Sequence, residues 1–381
     1  MKLIFNKGAL TEIINTVQKA VSAKSVMPIL ECIKIEAFSD GLVVVTGNNL
    51  DICIEYKSEC IVNEPGEIAI SSKMFGEIIR RFPDSDVLIN VDETNNVMLL
   101  KCGSSEFKIQ GLNAKEYPSI PEVSENYRFT ISEEQLKRMI RKTIFAISQN
   151  EGRKPILTGS LFEINTGVLT VVSTDGFRIA KVEAIVDSSL ENTKFVIPGL
   201  TLRELLKVLD DGEGNVDIVI SQRYVKFCFE SYTVVSRLLE GEYVNYKPIF
   251  NTPNNIVVNV NTKDFCESIE RAALIINDDS IQKSDKAPVR LIISDNLIDL
   301  TCSTGKGKIN DTVEVEKIGN DIEIGFNHKF LLEALRCCED EMVKMELSNP
   351  KGACFIKPTE SNDYIYMLLP VRLYEDWYAD T

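Results

Sequence analysis

The sequence predicts an α+β protein of three repeated domains, each with two helices packed on antiparallel sheet. Three observations carry this reading: the chain length, a triplicated order of elements, and short valine- and leucine-rich runs between amphipathic helices. With 381 residues, 44% of them apolar, the chain exceeds what one hydrophobic core fills. Two or three domains are expected.

The repeat is the most informative feature. Each copy opens with a short strand, a polar N-cap region and an amphipathic helix, in residues 2–21, 127–147 and 256–275. Leu10, Leu136 and Phe265 hold equivalent places, 126 and 129 residues apart. A second strand-helix-strand passage follows at a similar offset in residues 66–91, 193–221 and 321–347. Within those helices apolar residues recur at i, i+3, i+4 and i+7, as Leu202, Leu205, Leu206, Leu209 and as Leu331, Ala334, Leu335, Cys338. One face of each therefore packs on a sheet. Runs 42–46, 97–101 and 169–173, bounded by turn signals such as Ser39-Asp40-Gly41, Thr166-Gly167 and Asp175-Gly176, read as strands. Proline-containing stretches 117–122 and 250–255 read as linkers. Domains of 1–123, 124–252 and 253–381 follow.

Composition narrows the function. A formal charge of -15 argues against a simple basic nucleic-acid module, because lysine and arginine supply most non-specific affinity for phosphates. Any DNA contact must be local. The 10 cysteines are scattered, Cys337-Cys338 being the only close pair, and none forms a CxxC; buried free thiols of a reducing compartment are the reading. The start of the chain lacks a long apolar signal core, and no run approaches a membrane span, so the cytoplasm is expected. No GxxxxGK[ST], GxGxxG after a strand, HExxH or GxSxG is present. The single histidine, His328, follows Gly325-Phe326-Asn327 and reads as a surface or capping residue at a helix start. Asp210-Asp211 and Asp278-Asp279 read as solvated turns. No catalytic residue, metal or cofactor is called for, although a nuclease could still assemble its acids from distant positions.

Several stretches, read in order, carry a resemblance. Pro28-Ile29-Leu30 precedes Thr46-Gly47-Asn48-Asn49-Leu50-Asp51; Arg153-Lys154-Pro155-Ile156-Leu157-Thr158-Gly159 precedes Ser173-Thr174-Asp175-Gly176-Phe177-Arg178-Ile179-Ala180; and Leu369-Pro370-Val371-Arg372-Leu373 comes near the end. By their order and spacing the chain resembles the bacterial DNA polymerase III beta subunit family, the sliding clamps, over essentially its whole length. The resemblance implies three clamp-type domains that assemble as a head-to-tail dimeric ring around duplex DNA, without sequence preference and without catalysis. It implies tethering of the DNA polymerase III catalytic subunit, the clamp loader and other proteins with a short clamp-binding motif.

Carried over from the family, the peptide-binding groove comprises Leu157, Thr174, Gly176, Phe177, Arg178, Ile179, Val244, Pro248, Ile249, Met367, Leu369, Pro370, Val371, Arg372 and Leu373. Val244 stands where the family commonly has proline, and Pro248 where it often has a basic residue, so the preferred peptide is open. On residues alone, the basic excess Lys73, Arg80, Arg81 and Lys137, Arg138, Arg141, Lys142 is either a solvated face or a phosphate-facing one. The resemblance favours the second, and adds Lys24, Gln149, Arg153 and Lys154. For the dimer it implies an apolar contact of Phe107 and Ile109 with Leu274 and Ile275. Glu106 is expected to attract Lys306 or Lys308 of the partner subunit there, a polarity reversed from many family members. Beyond Leu373, residues 374–381 intersperse three aromatics with three acids. Such a segment either frays or folds back beside the groove.

Two rivals stay open: a metal-dependent nuclease on repeated α+β domains, and an adaptor that uses the groove without encircling DNA.

Overall fold

The computed structural model describes residues 1–124, 127–150, 152, 154–209, 211–277, 288–305 and 307–373. The first repeat runs β1 (Lys2–Asn6), α1 (Lys7–Val17), β2 (Cys32–Ala37), β3 (Leu42–Asn48), β4 (Ile52–Glu59), β5 (Ile61–Glu64), β6 (Gly66–Ser71), α2 (Ser72–Arg81), β7 (Asp86–Asp92), β8 (Val97–Cys102), β9 (Ser105–Gln110). The second runs β10 (Tyr127–Ser132), α3 (Glu133–Arg141), β11 (Gly159–Asn165), β12 (Val168–Thr174), β13 (Arg178–Ile185), β14 (Thr193–Pro198), α4 (Gly199–Val208), β15 (Asn215–Ile220), β16 (Tyr224–Cys228), β17 (Tyr232–Arg237). The third runs β18 (Ile256–Asn261), α5 (Thr262–Asn277), β19 (Val289–Ser294), β20 (Leu297–Thr304), β21 (Gly307–Ile318), β22 (Ile322–Phe326), α6 (His328–Leu335), β23 (Met342–Leu347), β24 (Cys354–Pro358), β25 (Tyr364–Leu368). Among the described residues, the order of helices and strands is the same three times, apart from β5 in the first repeat.

The helices form where the apolar spacing demands it. In α1, Leu10, Ile13, Ile14 and Val17 are buried, and the Asn6 side chain caps the start by accepting from the amides of Gly8 (2.9 Å) and Ala9 (3.2 Å). Each such buried aliphatic contributes roughly 1.5–3 kcal/mol relative to exposure. Gly47 in β3 lets the end of α1 come close, since a Cβ there would fall 2.2 Å from the Val17 carbonyl oxygen. In α6, Asn327 caps the first turn through the Lys329 amide (3.0 Å).

Packing groups the chain into two compact units: residues 1–137 with 186–190 and 200–239, and residues 138–185 with 191–199 and 240–381. The first unit holds a five-stranded sheet, β5-β1-β7-β8-β9, and an eight-stranded one, β10-β15-β16-β17-β4-β3-β2-β6. The second holds a twelve-stranded sheet, β14-β11-β12-β13-β25-β24-β23-β18-β21-β20-β19-β22. The second repeat gives one four-stranded set to each unit, which is why two packing units arise from three repeats.

One rule governs the joins. Within a repeat, β1-β7-β8-β9, β10-β15-β16-β17 and β18-β23-β24-β25 are equivalent sets, as are β6-β2-β3-β4, β14-β11-β12-β13 and β22-β19-β20-β21. The last strand of the former kind pairs antiparallel with the last strand of the latter kind in the preceding repeat. Thus β17 pairs with β4, from Tyr232 opposite Tyr56 to Ser236 opposite Ile52. Likewise β25 pairs with β13, from Leu368 opposite Arg178 to Tyr364 opposite Val182. Among the described residues, β9 and the Gly307–Glu314 part of β21 are the last strands left with an open edge.

The stretches expected as linkers are tied down. The Tyr117 hydroxyl donates to the carbonyls of Cys32 (3.1 Å) and Thr46 (3.2 Å), and Tyr117 is buried against Ile29, Leu30 and Ala69. In the second repeat the Tyr243 hydroxyl donates to the carbonyls of Gly159 (3.4 Å) and Val172 (3.2 Å). Residues 247–251 form a 3-10 turn rather than an open loop, and Phe250 packs 5.9 Å from Phe355.

Other expectations are corrected. Helix α6 ends at Leu335, three residues short of Cys338, because the amides of Cys337 and Cys338 switch to tighter bonds, to the carbonyls of Ala334 (3.1 Å) and Leu335 (3.0 Å). His328 does begin that helix but is buried, not on the surface. Five cysteines are buried and five only partly so.

Candidate functional site

The turn between β12 and β13 builds one wall of the expected groove. Gly176 takes φ +93°, a left-handed conformation that glycine adopts without strain. Asp175 closes the turn by accepting from the amides of Phe177 (2.9 Å) and Arg178 (3.1 Å). The Thr174 hydroxyl donates to the Arg178 carbonyl (2.6 Å) and accepts from the Gly176 amide (3.1 Å). Thr174, Ile179 and Met367 are opposite one another across β12, β13 and β25, and all three are buried. The Leu369 amide donates to the Phe177 carbonyl (2.9 Å), which extends this ladder past β25. Phe177 and Leu369 then stand 62% and 39% exposed.

Leu157, just ahead of β11, is buried, its carbonyl accepting from the Ser148 amide (2.8 Å). Val244, Pro248 and Ile249 are on the connector that Tyr243 pins to β11 and β12. That connector is fixed again by Glu163, which accepts from the Tyr246 hydroxyl (2.9 Å) and from Lys247 (2.6 Å). Burial alone would raise the Glu163 carboxyl, but these donors and Lys194 hold it below the ordinary carboxylate range. Farther on, the Val371 amide donates to the Gly325 carbonyl (2.8 Å). Pro370, Val371, Arg372 and Leu373 line an open cavity of about 660 Å³ together with Gly325, Ile324 and Pro350.

Arg178 departs from its expected role. Its guanidinium is buried and fully engaged: Nε with Asp175 (3.0 Å), Nη1 with Glu333, and Nη2 with the Phe145 carbonyl (2.6 Å). It also stacks 4.2 Å above the Phe330 ring. It ties the second repeat to α6 rather than offering a free charge to a ligand.

The basic positions divide sharply. Lys24 and Lys73 are exposed, with no ion pair among the described residues. Arg80 is exposed but donates to Asn15 (3.0 Å) and Gln18 (3.2 Å), and Arg81 lies 3.6 Å from Glu77. Lys137 is largely covered and paired with Asp211 (2.9 Å). Arg141, Gln149 and Lys154 are exposed, and Arg153 lies outside the described residues. Lys142 does not fit the expectation at all. Its side chain is 1% exposed, its ammonium is 3.0 Å from Glu339, and it covers the Tyr364 ring at 4.1 Å. Arg138 is similarly held by Glu339 (3.0 Å) and Asp363.

On the edge strand β9, Phe107 is 43% exposed and packs 5.7 Å from Phe82, while on helix α5 Leu274 is 73% exposed and Ile275 partly so. Ile109 is buried within its own sheet, so the apolar contact expected of it is already made inside the chain. Glu106 pairs with its neighbour Lys101 (2.9 Å); Lys308 is exposed, and Lys306 lies outside the described residues.

Among the described residues, no group of three His, Cys, Asp or Glu side chains could hold a metal ion. No helix of the described residues is long and apolar enough to cross a membrane. Burial pushes the adjacent thiols of Cys337 and Cys338 up to about 11 and about 12, so both stay protonated near neutrality. Sequence reading missed three ties: the Tyr117 and Tyr243 straps, the Glu163 pin, and the Arg178–Glu333 pair. Only the first had a signal, two tyrosines at the same repeat position.

What these features define is a triplicated scaffold with continuous sheets and a surface groove. The DNA polymerase III beta subunit family matches it three times: its N-terminal domain over residues 1–121, its central domain over 130–245 and its C-terminal domain over 247–372. The "Beta sliding clamp" of Bacillus subtilis (strain 168) is 33% identical, with 98% of this chain and 100% of that protein covered. A crystal structure of a putative DNA polymerase III beta subunit from Eubacterium rectale superposes with a TM-score of 0.92 at 36% identity, covering 98% of this chain and 100% of that one. A sliding clamp from Pseudomonas aeruginosa, bound to griselimycin, superposes with a TM-score of 0.91 at 26% identity over the same shares. The chain belongs to the DNA polymerase III beta subunit family, and its function is that of a processivity clamp.

Proposed function

We propose that two copies of this chain close head to tail around duplex DNA, and that a groove beside β13 and β25 tethers the replicative polymerase, clamp loader and other partners by a short peptide. The observation that carries it is the joining rule. Each repeat adds its last strand to the preceding repeat, and the rule leaves β9 at one end and β21 at the other. Pairing β9 with β21 of a second copy repeats the same join, and a heterologous contact of this kind closes when the rotation allows. Phe107, Leu274 and Ile275 supply exposed apolar surface near those edges, and Glu106 meets Lys306 or Lys308.

The domains remain 1–123, 124–252 and 253–381. The groove takes Leu157, Thr174, Ile179 and Met367 as its floor, Phe177, Val244, Pro248, Ile249 and Leu369 to Leu373 as its walls, and Arg178 as the brace beneath. Lys24, Lys73, Arg80, Arg81, Arg141, Gln149 and Lys154 face the duplex, with Lys137 and Arg138 contributing only if they exchange their carboxylate partners. Phosphate contacts of this kind hold DNA without reading sequence and are weak enough for sliding. A tethered polymerase gains effective concentration at the primer end. The chain supplies no catalysis, needs no cofactor and works in the cytoplasm.

The test is light scattering after size exclusion, followed by loading on nicked circular DNA. A mass twice that of the 42.8 kDa chain, and DNA retention abolished by linearising the circle, are expected. A monomer at micromolar concentration whose retention ignores DNA ends would overturn the ring and favour the adaptor.

A further inference from the structure

The join of the first and second repeats has a frame of the same build as the groove, with a cavity where the groove has an aromatic plug. We propose that this cavity, between β4, β16, β17 and residues 120–124, is a second peptide site, for a partner segment that presents an apolar side chain next to a carboxylate.

The frame repeats bond for bond. The Asn49 side chain accepts from the amides of Asp51 (3.1 Å) and Ile52 (2.9 Å), as Asp175 does from Phe177 and Arg178. Asn48 accepts from the Leu50 amide (2.8 Å), as Thr174 does from Gly176, and Leu50 takes φ +77° where Gly176 takes +93°. The Arg237 amide donates to the Asp51 carbonyl (3.0 Å), as that of Leu369 does to Phe177. Tyr117 straps its linker to Cys32 and Thr46 as Tyr243 straps the next to Gly159 and Val172. Asn48 also donates to the Pro118 carbonyl (3.4 Å), which fixes the linker as a wall. Counted from the two tyrosines, Ser124 holds the place of Phe250.

Two differences open the cavity. Across the join of the second and third repeats, Thr174, Ile179, Met367 and Phe355 stand opposite one another in a row. Phe250 packs 5.9 Å from Phe355 and fills the end of that row. Across the join of the first and second, the same row reads Asn48, Cys53, Val235 and Lys226. Ser124 and Lys226 thus replace both phenylalanines, and a cavity of about 520 Å³ lies where the plug would be.

The wall selects the occupant. Ile120, Pro121, Val123 and the buried Val235 give it an apolar side. Of its charges, Glu55 has Lys57 at 3.5 Å and Glu122 is exposed to water, whereas Lys226 is half-buried with no ion pair among the described residues. A partly covered, unpaired ammonium gains more from a counter-charge than an exposed group does, so a carboxylate belongs beside Lys226 and an apolar side chain against Val235. The exposed apolar rim of Phe177 and Leu369 becomes Asp51 and Arg237 here, so the site takes a different segment from the groove.

The choice of a peptide as occupant rests on the groove reading above, because the shared frame carries it. The cavity and its unpaired charge do not.

A synthetic hexapeptide with benzoylphenylalanine between leucine and aspartate, photolysed on the full-length protein and mapped by digestion and mass spectrometry, tests the site. Saturable label on residues 118–124 is expected. Lys226→Glu should lower that label about tenfold, and a peptide with lysine in place of aspartate should restore it on this variant. The double variant Ser124→Phe/Lys226→Phe copies the plug of the next join and should abolish the label. Melting curves taken alongside exclude an unfolded variant. Absence of label on 118–124 overturns the proposal, as does label that survives the plug or ignores the charge of Lys226. Label that falls as protein concentration rises also overturns it, since a second copy then covers the cavity. Label on residues 244–250 reads the groove separately. If it is missing while 118–124 is labelled, the groove reading fails and this site stands; the reverse overturns this site alone.

Discussion

The ammonium of Lys142 lies 4.1 Å from the centre of the Tyr364 ring, inside the join between the second and third repeats. A lysine that periodicity puts on a basic helix face is thus an internal fastener. Lys142→Ala should lower stability by about 1–3 kcal/mol, from the lost cation–π contact and the weakened hold on Glu339, and leave DNA retention unchanged at temperatures where the protein is folded. Exposed Lys73→Ala should do the opposite. Urea melts and salt-dependent retention on circular DNA check the pair; a retention defect in Lys142→Ala at full stability would return it to the DNA surface.

The same join makes stability depend on acid. Burial opposes ionisation of Glu339 and Asp363, yet donors overcome it: Lys142 and Arg138 for Glu339, Ser361 and Arg138 for Asp363. Both carboxyls are held below their ordinary values. A depressed folded pKa stabilises above the unfolded pKa and is lost as pH falls through the folded one. The melting temperature of the parent should therefore exceed that of Arg138→Met by a constant margin from pH 7 to 5. That margin should shrink below about pH 4.5. A margin still constant at pH 3 would deny the join its electrostatic part.

At the proposed ring contact, Leu274→Asp places a charge on a side chain that is 73% exposed in the single chain. The dimer should weaken by at least about tenfold, or ~1.4 kcal/mol, with no change in monomer melting. Sedimentation equilibrium reads both species.

Charge reversal probes the same contact from the other side. Glu106→Lys should weaken the dimer modestly, since Glu106 already has Lys101 beside it and rim pairs contribute less than about 1 kcal/mol. Combining it with Lys306→Glu and Lys308→Glu should restore part of the loss. Absence of rescue would remove the pairing.

For the groove, Leu369→Ala trims an apolar side chain that is reachable in the free protein. Peptide affinity should fall about tenfold, whereas Arg178→Ala should chiefly lower stability because its guanidinium holds Asp175, Glu333 and the Phe145 carbonyl. Titration calorimetry alongside melting separates the two effects.

The repeats, the helix faces and most strands were legible because period and spacing are local properties: Leu10, Ile13, Ile14 and Val17 announce their burial unaided. What was not legible needed partners distant in sequence. Nothing near Lys142 says that Glu339 and Tyr364 will meet it, and nothing near Arg178 says that Glu333 will. Ile109 alternates like an interface residue but is consumed by its own sheet. Charge counting on a helix therefore overestimated the free basic surface, while the turn at Asp175-Gly176 was legible from its own residues and the Leu369–Phe177 ladder was not.

The ladders that join β17 to β4 and β25 to β13 have a consequence for how such a chain can change over time. The second repeat completes a sheet of the first through β17 and has one of its own completed by the third through β25, so it is self-contained on neither side. Excising the second repeat would strip hydrogen-bond partners from both its neighbours, and inserting a fourth would have to supply matching rows on both sides. Length added past Val371, whose amide makes the final bond to Gly325 of β22, burdens none of these ladders.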